Sequence, residues 1–233
     1  MVALEKFYLQ FIVYEGYLDV LKGLLVTVEV AVAGLLIGII LGTLIAITRV
    51  VPKYKILPRI LNRISDVYVG LFRGTPMVVQ LLIGYFVLMP ALGLHLDNVV
   101  VSIIIFGMNS GAYVSEIMRA GIESVDKGQL EASRALGMTY ASSMLKVVIP
   151  QAIKNILPTL GNEFIVLIKE TSVLSFIAVV DITKAFRAIG DANYEYIVPY
   201  LCLAIVYLVL VLLISWGVKV LERRLKKSER SSN

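Results

Sequence analysis

The sequence predicts an all-α integral membrane protein with five transmembrane helices, its N-terminus outside and its C-terminus in the cytoplasm. Three observations carry that reading. Of 233 residues, 58% are hydrophobic and 17% charged, against about 25% charged in an ordinary soluble domain. The apolar residues gather into five runs, each able to cross a hydrocarbon core of about 30 Å as a helix. The basic residues cluster on alternate connecting segments. Helices are the expected form, because a lipid-exposed backbone must satisfy its own hydrogen bonds and these runs are too long for barrel strands.

Segment 1–22 contains the aromatic-rich stretch FYLQFIVYEGYLDV at 7–20. It lacks a basic start and a small-residue cleavage site, and reads as an amphipathic helix on the outer surface. The first span, 23–48, carries Gly34, Gly38 and Gly42. Small residues at that spacing let helix backbones approach, within one subunit or between two. Glu29 in this span is expensive in lipid and is expected to face protein or water. The second span, 66–89, is interrupted at Arg73-Gly74-Thr75-Pro76, and the third covers 99–118. The fourth starts near Pro150 and runs toward Val180, interrupted over 158–163. The fifth is 197–220. Residues 23–221 thus read as one transmembrane domain without internal repeats, followed by a solvated tail, 222–233.

Orientation follows from the basic side chains. Arg49, Lys53, Lys55, Arg59 and Arg63 follow the first span; Arg119, Lys127, Arg134, Lys146 and Lys154 follow the third. Lys219, Arg223, Arg224, Lys226, Lys227 and Arg230 follow the fifth. The alternate segments hold only Lys6, Lys22, Lys184 and Arg187, so the richly basic set is expected in the cytoplasm.

Several chemistries are excluded. No phosphate-binding G-x-x-x-x-G-K-[ST] loop and no H-E-x-x-H pair occurs. His95 is the sole histidine and reads as a surface residue, so no serine–histidine–aspartate site can be assembled around it. One cysteine, Cys202, builds neither a disulfide framework nor a metal site and reads as a small packing residue. The chain is expected to be non-catalytic, drawing any metabolic energy from a partner.

One segment is out of character with the apolar runs: 131-EASRALGMTYASSMLKVVIP-150. Residues 129–136 favour a helix, with Glu131 and Arg134 spaced to interact on one surface. Gly137 stands where a helix end needs a positive φ, and Pro150 opens the next apolar helix. The pattern Glu131-Ala132-Ser133, then Gly137, then aliphatic-x-aliphatic-Pro resembles the EAA loop of ABC importer permeases; Ser133 replaces the usual alanine. The stretches 72-FRGTPMVVQLL-82, 161-GNEFIVLIKETSVLS-175 and 181-DITKAFRAIGDANYEYI-197 resemble the polar amino-acid subfamily (histidine, glutamine and arginine types). The resemblance covers most of the chain and implies the type I ABC importer permease fold in a prokaryotic cell membrane. It implies a second permease subunit, identical or closely similar, a cytoplasmic ATPase dimer that binds ATP and Mg, and an extracytoplasmic solute-binding protein. No cofactor is expected in this chain. The helix at 129–137 would dock in the ATPase cleft through Glu131, Ala132, Arg134, Leu136 and Gly137.

A translocation path needs polar groups in the membrane, which interrupted helices supply. An intramembrane ionisable group is a functional candidate by default, and Glu163 is the foremost. Its carboxylate suits the cationic end of arginine, lysine or histidine. Thr75 and Asn162 are candidates for the substrate's backbone groups, Arg73 for its α-carboxylate, and Met77 completes the candidate set. A structural Arg73–Asp66 pair is the alternative for Arg73. An uncharged polar substrate such as glutamine, an ATP-independent secondary transporter and a non-transporting scaffold are the alternative functions.

Overall fold

In the computed structural model, residues 2–51, 54 and 56–230 are described; Val2 and 226–230 are described in backbone alone. Lys53 and Lys55 lie outside the described residues, as do the side chains of Lys226, Lys227 and Arg230. All regular structure among the described residues is helical.

The N-terminal helix α1 (Val2–Tyr8) runs into a π-helical turn, and a left-handed Glu15 (φ 56°) redirects the chain into α2 (Gly16–Val50). Helix α2 therefore begins seven residues before the expected first span at 23. Phe7 and Phe11 stack at 5.0 Å, and Phe11 stacks in turn on Phe186, which ties this segment to the rest of the chain.

Helix α2 lies along α6 (Asn98–Glu123), the third span. The glycine stripe works within one subunit: Gly34, Gly38 and Gly42 face Phe106, Ser110 and Val114. Small side chains permit this approach where lipid provides no hydrophobic drive between helices. Glu29 does not pack within the chain; it is exposed on the opposite face of α2.

Between these helices runs the interrupted second span. Helix α3 (Ile56–Gly74) ends at the expected place, and the chain bends by 108° into α4 (Met77–Ile83), a π-helical turn and α5 (Met89–Ala91). The helix begins at Ile56, ten residues before the expected span, because 56–65 continue its periodic pattern with an exposed apolar stripe.

After α6 come the short α7 (Lys127–Ala135) and α8 (Tyr140–Ser143), then α9 (Ile149–Glu170). The expected interruption over 158–163 is absent: α9 is continuous through Pro158 and Gly161. An internal proline deletes one backbone donor without abolishing the helix when neighbouring elements hold it. Here Gly161 leaves space for Val218 of α11 (Ile197–Arg230) to pack against the backbone. The helix gives way only at Thr171, through a 3-10 stretch ending at the left-handed Ala178 (φ 64°), before α10 (Ile182–Asn193).

The core lies where α2, α4, α6 and α9 meet, around Leu81, Phe106, Leu167 and Leu174. Among the described residues, three helices (α2, α6 and 197–225 of α11) are long and apolar enough to cross a membrane, or four if the bent pair counts as one span. Helix α9 is more polar than these, carrying Lys154, Glu163, Lys169 and Glu170 in its 22 residues. Helix α11 is helical through Arg230, so much of the expected tail continues the last helix. His95 is exposed, and Cys202 packs against the cluster that holds Phe186 and Ile189, as expected.

Candidate translocation and coupling site

The bend between α3 and α4 is built by its own side chains. Pro76 has no N–H, so the Phe72 carbonyl, four residues earlier, has no helical donor. The Gln80 amide supplies one, with Nε2 2.7 Å from Phe72 O and 2.9 Å from Thr75 O. Thr75 Oγ1 donates to Leu71 O at 2.8 Å and accepts from Gln80 Nε2 at 2.9 Å. Gln80 Oε1 accepts from Asn109 Nδ2 of α6 at 2.8 Å. Gln80 and Asn109 are 8% and 3% exposed. Sequence reading passed over both, although a glutamine and an asparagine inside apolar spans are a signal in themselves.

Glu163 is 7% exposed and accepts from the Ser110 hydroxyl at 3.2 Å. Asn109 and Ser110 are consecutive on α6, so the bend and this carboxylate meet the helix at the same height, about 100° apart around it. The candidate residues divide accordingly. Thr75 is exposed beside the bend, Met77 is buried in the core, and Asn162 is exposed on α9, turned away from its neighbour Glu163.

Arg73, at the end of α3, meets α6 further along that helix. Its Nη1 is 3.7 Å from Glu116 Oε1, and its guanidinium carbon is 5.4 Å from the centre of the Tyr113 ring. The Arg73–Asp66 pair does not form: Asp66 takes Arg49 at 3.2 Å instead. The bend tilts the end of α3 onto α6, bringing Arg73 to Glu116 while α2 presents Arg49 to Asp66. Glu116 also accepts from Arg49 and, at 2.7 Å, from Arg119, so three guanidiniums meet on one carboxylate. An open cleft between α6 and α9 is lined by Glu116, Ser124, Asn155 and Thr159. Ile117, Ala120 and Gly121 complete its lining, which is mostly apolar.

The α7 segment forms as its residues dictate. Asp126 caps the start, accepting from Gly128 N at 2.7 Å. At the other end Gly137 has φ +85°. Its N–H reaches Arg134 O, and the Met138 N–H reaches Ser133 O, the paired bonds of a Schellman end. Glu131, Ala132 and Arg134 are exposed, and Leu136 is 85% exposed. Ser133 is the buried member, its hydroxyl satisfied by Leu130 O, so the departure from alanine falls on the inner face. Arg134 does not pair with Glu131; it donates to Met138 O at 3.3 Å, because the turn at Gly137 folds that carbonyl back over the helix end.

A bent intramembrane helix, a buried carboxylate and an exposed capped helix on a bundle of apolar helices define a multi-pass membrane transport component. Residues 29–227 match the family described as binding-protein-dependent transport system inner membrane component, and the chain belongs to that family. It is 40% identical over 210 residues to the arginine transport system permease protein ArtQ of Bacillus subtilis (strain 168), covering 90% of this chain and 94% of the relative. It is 38% identical over 208 residues to the putative glutamine transport system permease protein GlnP of Rickettsia bellii (strain RML369-C), covering 89% and 93%. A crystal structure of an amino acid ABC transporter with histidines superposes with a TM-score of 0.84 at 38% identity, covering 93% of this chain and 98% of the other.

Proposed function

We propose that this chain is the permease subunit of an ATP-driven amino-acid importer whose substrate is basic: arginine, lysine or histidine. The observation that carries the substrate class is Glu163, a buried carboxylate whose described hydrogen bond comes from a neutral hydroxyl, while the arginines of α2, α3 and α6 gather on Glu116. A carboxylate held in a low-dielectric site favours a cation that brings its own hydrogen-bond donors. Relatives named for arginine and for glutamine make an uncharged polar substrate the second reading.

Five spans cross the prokaryotic cytoplasmic membrane, with the N-terminus outside and the C-terminus in the cytoplasm. Helix α9, about 33 Å long at 1.5 Å per residue, is the span whose polarity serves the path. Segment 1–22 lies on the outer surface, 23–221 is the permease domain, and 222–233 is the cytoplasmic end. Glu163, Asn162, Thr75, Arg73 and Met77 form the substrate path. Glu131, Ala132, Arg134, Leu136 and Gly137 engage an ATPase dimer, which binds ATP and Mg; this chain carries no cofactor. A second permease subunit completes the membrane unit, and a solute-binding protein delivers substrate from outside.

The test is Glu163→Gln in proteoliposomes containing the complete transporter. Substrate-stimulated ATP hydrolysis should fall at least tenfold more for L-arginine than for L-glutamine. Equal loss for both would remove the basic-substrate reading, and uptake without ATP would remove the importer reading.

A further inference from the structure

The Gln80–Asn109 bridge bears on how the site recognises its substrate. Phe72 O and Thr75 O can only accept hydrogen bonds, so one orientation of the Gln80 amide serves them, with its nitrogen toward the bend. Its oxygen then faces α6, where the Asn109 amide nitrogen meets it at 2.8 Å. The consequence falls on Thr75. Its hydroxyl proton goes to Leu71 O at 2.8 Å, and one lone pair shares with Thr75 O the second N–H of Gln80 Nε2, at 2.9 Å from each oxygen, the first N–H being taken by Phe72 O. A hydroxyl has one donor and two acceptor positions, so the oxygen of this exposed residue retains acceptor capacity alone.

We propose that Gln80, oriented by Asn109, is a positioning residue that fixes Thr75 as an acceptor for the α-ammonium group of the amino acid. This inference rests on the site proposed above and deepens it. Thr75 meets the group common to all amino acids, while Glu163 meets the side chain that distinguishes them. The two contacts act from the same height on α6, through the consecutive residues Asn109 and Ser110. A substrate carboxylate has no donor to find at Thr75 and is directed elsewhere on the path.

Two variants separate this role from packing. Gln80→Met keeps the length and removes all the bonds. Gln80→Glu keeps the volume and, as a carboxylate, still accepts from Asn109 while losing the donors to Phe72 O and Thr75. In the reconstituted complete transporter, each should raise the half-saturating concentration about tenfold, with the maximal rate of ATP hydrolysis changed less than about twofold. A tenfold change corresponds to about 1.4 kcal/mol, the scale of one buried hydrogen bond. The increase should be the same for L-arginine and L-glutamine, since both carry the α-ammonium. Asn109→Leu should give a similar loss, and its combination with Gln80→Met should be no worse than either alone.

A wild-type half-saturating concentration in Gln80→Glu would overturn the proposal. So would a loss confined to one substrate, additive effects in the double variant, or failure of both Gln80 variants to assemble, which would make Gln80 a folding residue. Glu163→Gln in the same preparation distinguishes the two readings. If it leaves both substrates unaffected, the site itself is wrong; if it acts on arginine while the Gln80 variants do nothing, only the role of Gln80 and Thr75 fails.

Discussion

Gly38 of α2 and Ser110 of α6 are packed so closely that a methyl group on the glycine would lie 2.5 Å from the serine hydroxyl oxygen. That same hydroxyl donates to Glu163. The small residue on one helix thus sets the position of a polar group on the next, and through it the carboxylate on a third. Gly38→Val is expected to push the helices apart, at about 1–3 kcal/mol for overpacking. Gly70, which faces open space in the single chain, should accept alanine without loss. Thermal unfolding in detergent checks the pair: a wild-type midpoint for Gly38→Val would contradict the α2–α6 packing.

Glu116 holds three arginines of unequal commitment. Arg49 and Arg119 make short contacts with it, whereas Arg73 stands at 3.7 Å and is about half exposed. Glu116→Ala takes one carboxylate from Arg49 and Arg119, which keep Asp66 and Glu123, and a loss of about 1.5–3 kcal/mol is expected for the charged hydrogen bonds removed. Arg73→Ala should lose no more than about 1 kcal/mol. Chemical denaturation of the solubilised subunit would show the ranking, and the reverse order would mean that Arg73 is the anchor.

Leu136 and Gly137 separate docking from folding. Leu136 is 85% exposed, so Leu136→Asp should leave the subunit folded and inserted while weakening ATPase association at least tenfold. Gly137→Val instead strains the left-handed position at φ +85°, at about 1–2 kcal/mol, and should loosen the α7 end as well. Co-purification of the ATPase reads the first effect, and proteolysis near 137 the second. An intact complex with Leu136→Asp would exclude α7 as the docking helix.

Pro158 lies inside a continuous α9. Pro158→Ala supplies a backbone N–H inside the helix and should stabilise the subunit by about 1 kcal/mol or leave it unchanged. A helix that needed interruption here would respond in the opposite sense, with loss of stability and transport; unfolding and uptake assays decide.

Much of the architecture was legible along the chain. Apolar runs located α2, α6 and α11 because hydropathy adds along a segment regardless of its neighbours. Pro76 marked the bend, since a missing N–H acts on its own helix, and Gly137 marked the end of α7, since a left-handed φ is a local demand. The same local logic failed at Pro158, where packing by neighbouring elements carries the helix past the lost bond. It failed also for Arg73, whose helical spacing to Asp66 said nothing about Arg49 and Glu116 arriving from other helices.

By itself, then, the sequence determined the helical class, the bend after Gly74, the capped α7 and Glu163 as an ionisable group in an apolar setting. Only the tertiary structure decided that Gly38 faces Ser110, that Ser110 serves Glu163, and that Gln80 closes the bend onto Asn109. The reason is physical. Helix ends and bends are set by groups a few residues apart, whose geometry the backbone imposes. The contacts of the site join Gln80 to Asn109 and Ser110 to Glu163, 29 and 53 residues apart. Those distances close only when whole helices pack.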